Sequence, residues 1–419
     1  MDIAKPSLVR AINLRATFDL VNRHGPVAAP IVVRRTGLSK PTVADVLNKL
    51  VEAGILLRVG RTSGLPGPTA QLYDINPSAG WVMSIDVGRE WLRAALCDLK
   101  GTVVGQTASR TPRGTARAVI SRLRQEAERL TATAGIQVAD VNQIVVGTPG
   151  VVRPGQTHFS LAPQLAGWES PAVIQAIRDA LEAPVRFEND VNMAAVGEHV
   201  RGAATGCDDF VLLSVGTGVG IGVVVDGAVR RGAGGLAGEI GYLRFDLDGD
   251  LTDAHPADWG TGAYEAQVSS AAIATLAQQH GLPAIRAEAV FGEARRGDPR
   301  AQRVVEIEAR RLAYAVAAIA AILDPELVIL GGGVGTGGGD LLLRPMSEAL
   351  ASISPFTPRL VASALGGDAV IAGCTALGLE LAYDSLFAVG PPTRRTAGHG
   401  RVERGLRATA HHAAPPASS

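Results

Sequence analysis

Two glycine-rich runs and one polar cluster contain most of the residues in this sequence that could do chemistry. Val82-Met83-Ser84-Ile85-Asp86-Val87-Gly88 reads as a strand entering an Asp-x-Gly turn, and Phe210 to Val215 runs into Gly216-Thr217-Gly218-Val219-Gly220. Glycine at such turns lets backbone N–H groups approach an anion such as a phosphate. The polar cluster is Glu188-Asn189-Asp190-Val191-Asn192, directly after the apolar run Val185 to Phe187. Polar groups at the carboxyl end of a strand are where open α/β sheets place ligands. A different set lies near the N-terminus. Lys40, Thr42, Asp45, Asn48 and Lys49 share one face of a predicted helix, and short or cationic groups of this kind reach phosphates and base edges.

These N-terminal groups need a small helical scaffold. Ile12, Phe18, Leu20 and Val21 predict a helix ending near Gly25-Pro26, and Pro30 to Thr36 a second short element. Ile31-Val32-Val33 is β-branched and opposes a helix there. A third helix runs from Lys40 to Ala53, with Ser39 as N-cap, Pro41 in the first turn and Gly54 at the end. Val43, Val46, Leu47 and Leu50 form its buried face at i, i+3, i+4, i+7. The spacing Val33, Gly37, Val43 is that of a helix-turn-helix. Ile55 to Arg58 and Gln71 to Ile75 predict strands on either side of a wing tip from Arg61 to Pro68, with Arg58 or Arg61 available to a DNA backbone or minor groove.

The remainder reads as alternating strands and helices. Trp91 to Asp98 follows the first glycine turn as a strand, with Gly101 turning to the next. Thr115 to Thr133 is an amphipathic helix, Ile144 to Gly147 a buried strand, and Ser170-Pro171 an N-cap with proline opening a helix to Leu181. Ile221 to Val225 follows the second glycine turn as a strand. Asp298-Pro299 opens a long apolar helix to Leu323, and Leu327 to Leu330 is a strand ended by Gly331-Gly332-Gly333. Two glycine turns, each opening a unit of three strands, predict a duplicated α/β fold with a cleft between its lobes.

Composition limits the alternatives. A chain of 419 residues exceeds one small core and implies two or three folding units. Its 47% apolar content excludes a mostly disordered protein. Cys97, Cys207 and Cys374 are odd in number and far apart, so neither a disulfide framework nor a Cys-x-x-Cys metal site is expected, and a reducing cytoplasm suits them. The longest apolar stretch, Leu312 to Leu323, is shorter than the ~20 residues of a membrane helix. Arg10 and Arg15 break the apolar run of the N-terminus, so no signal peptide is expected. With 40 basic and 40 acidic side chains the net charge is zero, but residues 1–75 carry +5, residues 76–388 carry −9 and the tail from 389 carries +4. A basic head on an acidic body points to a polyanionic partner for the head. The tail from Gly390, rich in Pro, Ala, Arg and His without helical period, is expected to be disordered.

Taken together, these residues resemble the ROK family of repressors and sugar kinases, which has an actin-like, hexokinase-like fold. The most specific parts are Glu188 to Asn192, Gly216 to Gly222, Gly238-Glu239-Ile240-Gly241, and Asp324-Pro325 through Gly333. A winged helix-turn-helix ahead of such a domain resembles the family's transcriptional regulators of xylose and N-acetylglucosamine use. The expected organisation is a winged helix-turn-helix over 1–77, a two-lobed α/β ROK domain over 78–388 with its lobe boundary near 204, and a tail over 389–419. Operator DNA would meet Ser39, Lys40, Thr42, Asn48, Lys49, Arg58 and Arg61. The resemblance implies sugar contacts at Asn189, Asp190, Glu239 and Glu265, with Asp190 where the kinases keep their general base. Asp86, Gly88, Gly216, Thr217, Gly218, Gly220, Gly332 and Gly333 correspond to nucleotide loops.

Two departures favour a sensor over an enzyme. The kinases' first loop resembles Asp-x-Gly-Gly-Thr, whereas this chain has Asp86-Val87-Gly88-Arg89-Glu90. A carboxylate ~4 Å from a phosphate costs about 4 kcal/mol at an effective dielectric of ~20, roughly a thousandfold in affinity. The family's zinc pattern, Gly-Glu-x-Gly-His followed by several cysteines, is also absent. Tyr242 stands at the histidine position, no Cys lies between residues 242 and 265, and only His255 is nearby, so no metal cofactor is expected. The acidic run Asp246, Asp248, Asp250 has Leu251 and Ala257 where a calcium loop needs Gly and Glu, and reads as a solvated loop. The expectation is a cytoplasmic, sugar-responsive DNA-binding repressor acting as a homodimer, with no membrane partner. The alternative is an active ATP-dependent sugar kinase carrying a DNA-binding head.

Overall fold

The computed structural model describes residues 6–62, 69–153, 156–162, 165–245 and 262–387. The N-terminal unit consists of α1 (Pro6–His24), β1 (Val27–Ala28), α2 (Ala29–Thr36), α3 (Lys40–Glu52), β2 (Leu56–Arg61) and β3 (Gln71–Ile75). Its strands form an antiparallel sheet of order β1-β3-β2. The two-residue β1 has no signal in the sequence. α2 forms in spite of its β-branched run because Val32 is fully buried and Pro30 sits in the first turn. Burial of an apolar face outweighs intrinsic propensity here. The residue at the centre of that packing is Val32, with the expected Val33 only half-buried beside it. Gly37 adopts the left-handed backbone at φ 71° and closes α2. The Ser39 hydroxyl caps α3 by accepting from the Thr42 amide, as its sequence predicts. Ile12 departs from expectation, being exposed on α1 while Phe18, Leu20 and Val21 pack inward. Thr62 and Ala70 pair at the open end of the β2–β3 hairpin, and the wing-tip residues 63–68 lie outside the described residues.

The larger part begins with β4 (Trp81–Val87), β5 (Trp91–Asp98), β6 (Val103–Arg110), α4 (Ala116–Thr133), β7 (Gln143–Thr148), α5 (Val173–Leu181), β8 (Val185–Asn189) and α6 (Asp190–Arg201). It continues with β9 (Phe210–Val215), β10 (Val219–Val225), β11 (Ala228–Val229), α7 (Glu265–Val268), α8 (Ser270–Gln279), α9 (Ala287–Arg295), α10 (Pro299–Leu323), β12 (Leu327–Gly331), α11 (Gly332–Gly338), α12 (Asp340–Ile353), β13 (Arg359–Ala362) and α13 (Ala369–Leu386). Among the described residues these strands make two five-stranded sheets, β6-β5-β4-β7-β8 and β11-β10-β9-β12-β13. Both place their first strand third. Both are antiparallel on one side of it and parallel on the other. The repeat puts the two glycine turns at the same place in each sheet, after the first strand. The parallel strand β12 is buried throughout, as covered parallel strands are.

Two local expectations change. Ser170-Pro171 does not open α5. Consecutive turns, with the Val173 amide donating to the Ser170 carbonyl, delay the helix until Val173 and Ile174 reach the core. Gly332 and Gly333 do not simply end β12 but begin the short helix α11.

α6 and α13 connect the lobes. α6 leaves the first sheet and packs on β10 and β9, and α13 leaves the second sheet and packs on β4 and β7. They lie along each other with backbones in contact: a Cβ on Gly197 would strike the Ala369 carbonyl, and one on Gly373 the Met193 carbonyl. The segment Gly366–Leu386 is long and apolar enough to cross a membrane by length and composition, which the sequence reading did not identify. In the fold, residues 369–387 are buried or half-buried except Asp384 and Ser385.

Gly197→Ala is expected to destabilise the protein by about 1–3 kcal/mol, the usual cost of overpacking. Thermal unfolding would read this as a lowered Tm, and an unchanged Tm would contradict the close crossing.

Candidate functional site

The polar cluster lies where β8 ends. Asn189 is the N-cap of α6, its side-chain oxygen accepting from the Asn192 amide at 3.1 Å and its nitrogen donating to the Gly150 carbonyl at 3.3 Å. Asp190 is the first helical residue, and its carboxylate accepts from the Val191 amide at 2.9 Å. The helix N-terminus favours negative charge there. Register aligns Asp86 on β4 with Gly147 on β7 and Glu188 on β8, so Asp86 joins the same edge. Its carboxylate meets the Arg93 guanidinium at 3.2 Å. Glu188 is buried and held by Arg186 at 2.7 Å and by Arg231 at 2.9 Å, the latter tying the first sheet to the segment after β11.

The fold brings Glu239 near both Asp190 and Glu265. Burial raises the Glu239 carboxyl to about 7, with the Asp190 and Glu265 charges adding to it. Burial likewise raises Asp86 to about 7, helped by Asp190 and opposed by Arg93, and Asp190 to about 6. Glu265 is raised by burial and lowered by its bond from the Val219 amide, 3.1 Å long, and by the nearby Arg89 charge. Glu265 therefore clasps the second glycine loop from α7 instead of standing in solvent. Tyr242 lies close to this group, its phenol raised by burial and by the charges of Glu239, Glu265 and Glu169. Among the described residues the Glu239 carboxylate has no hydrogen bond or ion pair. Several carboxyls this close cannot all ionise at neutral pH, and hydroxyl donors entering the cleft would relieve them.

The glycine loops are tight turns. The Gly88 amide donates to the Trp91 carbonyl and the Gly216 amide to the Gly218 carbonyl, each at 2.9 Å. With the Val219 amide on Glu265, these N–H groups are engaged within the loops. Thr217 and Gly218 are half-buried at the tip. Gly220 and Gly222 bring β10 against Val191 and Ala195 of α6, and Gly332 presses on Val215 with Gly333 beside Gly216. Glu90 pairs with Arg286 at 2.9 Å and with Arg110 at 3.2 Å. Arg110 lies 4.1 Å from the ring centre of Trp91. The groove bounded by Trp91, Arg110, Ile285 and Arg286 contains none of the four carboxylates.

On the N-terminal unit, Ser39, Lys40 and Asn48 are exposed, with Thr42 and Lys49 half-buried. Lys49 pairs with Asp45 at 2.6 Å, and Arg58 donates to Asn48 at 2.9 Å, so β2 and α3 present one continuous polar face. Arg61 is exposed at the end of β2. Arg34 and Arg35, which contribute to the basic charge of the head but are not among the expected DNA contacts, are exposed at the end of α2. The sequence reading overlooked Arg93, Glu169 and Arg231, which no local motif marks. Among the described residues no group of three His, Cys, Asp or Glu side chains could hold a metal ion. Asp246, Asp248, Asp250, Leu251, His255, Ala257 and the tail 389–419 lie outside the described residues.

The duplicated sheet, the crossing helices and the carboxylate-lined cleft define an actin-like fold of the kind that sugar kinases have. The chain belongs to the ROK family, whose model matches residues 82–380. It is 27% identical to the xylose repressor of Bacillus subtilis over 253 residues, 59% of this chain and 64% of the repressor. The match therefore spans less than two thirds of that relative. A solved ROK family transcriptional regulator, a homologue of the E. coli Mlc protein, superposes with a TM-score of 0.72 at 25% identity, covering 90% of this chain and 98% of its own. A ROK family glucokinase from Streptomyces griseus, solved with glucose and AMPPNP, gives a TM-score of 0.61 at 26% identity over 72% of this chain and all of its own.

A carboxyl raised above its ordinary value binds a proton more tightly folded than unfolded. Its contribution to stability is complete below about pH 4 and is lost as pH rises through the folded value. Glu239→Gln should therefore unfold at a higher temperature than the parent at pH 8, and the difference should close by about pH 4. Equal Tm values across this range would contradict a half-buried Glu239 raised by its surroundings.

Proposed function

We propose that this chain is a sugar-responsive, DNA-binding transcriptional repressor. The observation that carries the reading is one basic, exposed helix face on a unit of three helices and a small sheet, joined to a ROK domain. We read residues 1–77 as a winged helix-turn-helix, 78–388 as the ligand-sensing domain with its lobe boundary near 204, and 389–419 as a tail. α3 would enter the major groove with Lys40, Thr42, Asn48 and Lys49 toward bases and phosphates, and Arg58 and Arg61 on the flanking backbone. Arg34 and Arg35 extend the same positive surface. Two heads in a homodimer would meet half-sites about 34–36 Å apart. Three buried free cysteines suit a reducing cytoplasm.

The ligand would be a sugar or sugar derivative. Asn189, Asp190 and Glu239 offer acceptors for its hydroxyls, and Glu265 fixes the loop beside them. The similar xylose repressor and the glucokinase solved with glucose make xylose and glucose the first probes. Sugar binding acts on DNA affinity only through a difference in affinity between open and closed lobes. A second reading, an active sugar kinase, draws on Asp190, whose carboxyl at about 6 suits a general base near neutral pH. Against it stands Glu90, paired with Arg286 at the first loop, where a nucleotide's phosphates would need positive charge.

Binding to the chain's own upstream DNA should weaken linearly on a log scale with salt, and Lys40→Ala should lower that slope by about one. No specific complex with or without any sugar would sink the repressor reading. Asp190→Asn should weaken sugar binding about tenfold or more, near 1.4 kcal/mol, read as a smaller thermal shift at a given sugar concentration. Steady release of ADP by the parent chain, abolished in Asp190→Asn, would instead establish the kinase.

A further inference from the structure

The N-terminal unit is not loosely tethered. Its core is completed by the last turns of α13. Ala382 and Tyr383 are buried in the same cluster as Phe18, Val21 and Leu50, together with Val82 of β4 and Leu99 in the turn after β5. The Phe18 ring meets Tyr383 edge-on at 4.9 Å and Phe387 at 5.2 Å. The Tyr383 hydroxyl donates to the Leu99 carbonyl at 2.8 Å, and Arg15 pairs with Asp384 at 2.6 Å. At the other end, α6 begins at Asn189 and Asp190, inside the cleft.

Between these ends the contacts are continuous and unusually close. Gly197 and Gly373 let the two helix backbones touch. The fully buried Glu198 carboxylate accepts from the Ser363 hydroxyl and from the Ala364 and Leu365 amides, fastening α6 to the segment that leads into α13. Farther along, Thr375 bonds Ser84 of β4 at 2.8 Å, and Gly378 leaves no space for a Cβ beside Val82. A displacement of the α6 N-terminus therefore has few soft contacts in which to dissipate. At 1.5 Å per residue, the path runs about 10 Å from Asp190 to Gly197 and about 15 Å from Gly373 to Tyr383.

We propose that α6 and α13 move as one lever, carrying occupancy at Asn189 and Asp190 to the N-terminal unit through Tyr383, Asp384 and Phe387. The inference rests on the sensing role given to that cleft and names the route of its regulation. Close-packed helices respond as bistable units, so a small shift at one end reorients what is packed on the other. Gly197 and Gly373 would then matter as the pivot, and the aromatic contacts of Phe18 as the output.

The test uses the full chain and the double variant Asp384→Asn/Phe387→Ala, which touches the exposed and half-buried far end of α13. The probes are D-xylose, D-glucose and N-acetyl-D-glucosamine. Fluorescence anisotropy gives the ratio of DNA Kd with and without sugar, and calorimetry gives the sugar Kd. The expected result is a coupling ratio lowered about threefold or more with the sugar Kd unchanged, within the usual span of coupling strengths. An unchanged ratio overturns the lever. Should no sugar alter DNA binding by the parent chain, the repressor reading fails, and amide exchange then decides the lever alone. Exchange in α1 and the last turns of α13 that differs between parent and Asp190→Asn sustains it. Identical exchange overturns it.

Discussion

Two helix backbones in contact at Gly197 and Gly373 join parts of the chain that could otherwise move independently. α6 grows from the first sheet and packs on the second, and α13 does the reverse. Only glycine permits that approach, because a side chain at either point would meet a carbonyl oxygen. The cleft depends on this crossing, since Asp190 belongs to one helix and β10, which follows the second glycine turn, packs on Val191 and Ala195 of the same helix. The N-terminal unit depends on it as well, because its core is finished by the end of the other.

The electrostatics divide the molecule by function. The head carries exposed cations on one face, whereas the cleft gathers Asp86, Asp190, Glu239 and Glu265, with Arg93 beside Asp86 and Arg89 near Glu265. On the proposed reading, such a cleft would take a ligand rich in hydroxyl donors. Glu90 occupies the first loop and satisfies two arginines from different parts of the fold, Arg110 and Arg286.

Periodicity and caps made much of the fold legible. The helix from Lys40, with Ser39 capping and Val43, Val46, Leu47 and Leu50 inward, needs only local rules. The glycine turns after β4 and β9, the long helix from Pro299 and the strand from Leu327 were readable for the same reason. Local rules misled where packing overrode them. α2 is helical through Val32 despite its β-branched run, α5 starts after Ser170-Pro171 because turns intervene, and α13 is apolar for two interfaces at once. Asn189, Asp190 and Glu239 were identifiable as ligand candidates from their motifs. Nothing local revealed that Glu265 would hold the Val219 amide, or that Tyr242 would face Glu169.

The sequence by itself determined the family, the duplicated α/β architecture, the basic character of the first 75 residues and the identity of the cleft's acidic groups. Each is a property of residue type and near-neighbour spacing, which a linear chain displays directly. Only the tertiary structure decided which carboxyls share a site, where Glu90 finds its arginines and how the N-terminal unit is seated on α13. Those depend on contacts between residues tens or hundreds of positions apart, such as Asp86 with Asp190 and Arg15 with Asp384. Burial and charge act through distance in space, and spacing along the chain carries no record of that distance until the sheets and the crossing helices have formed.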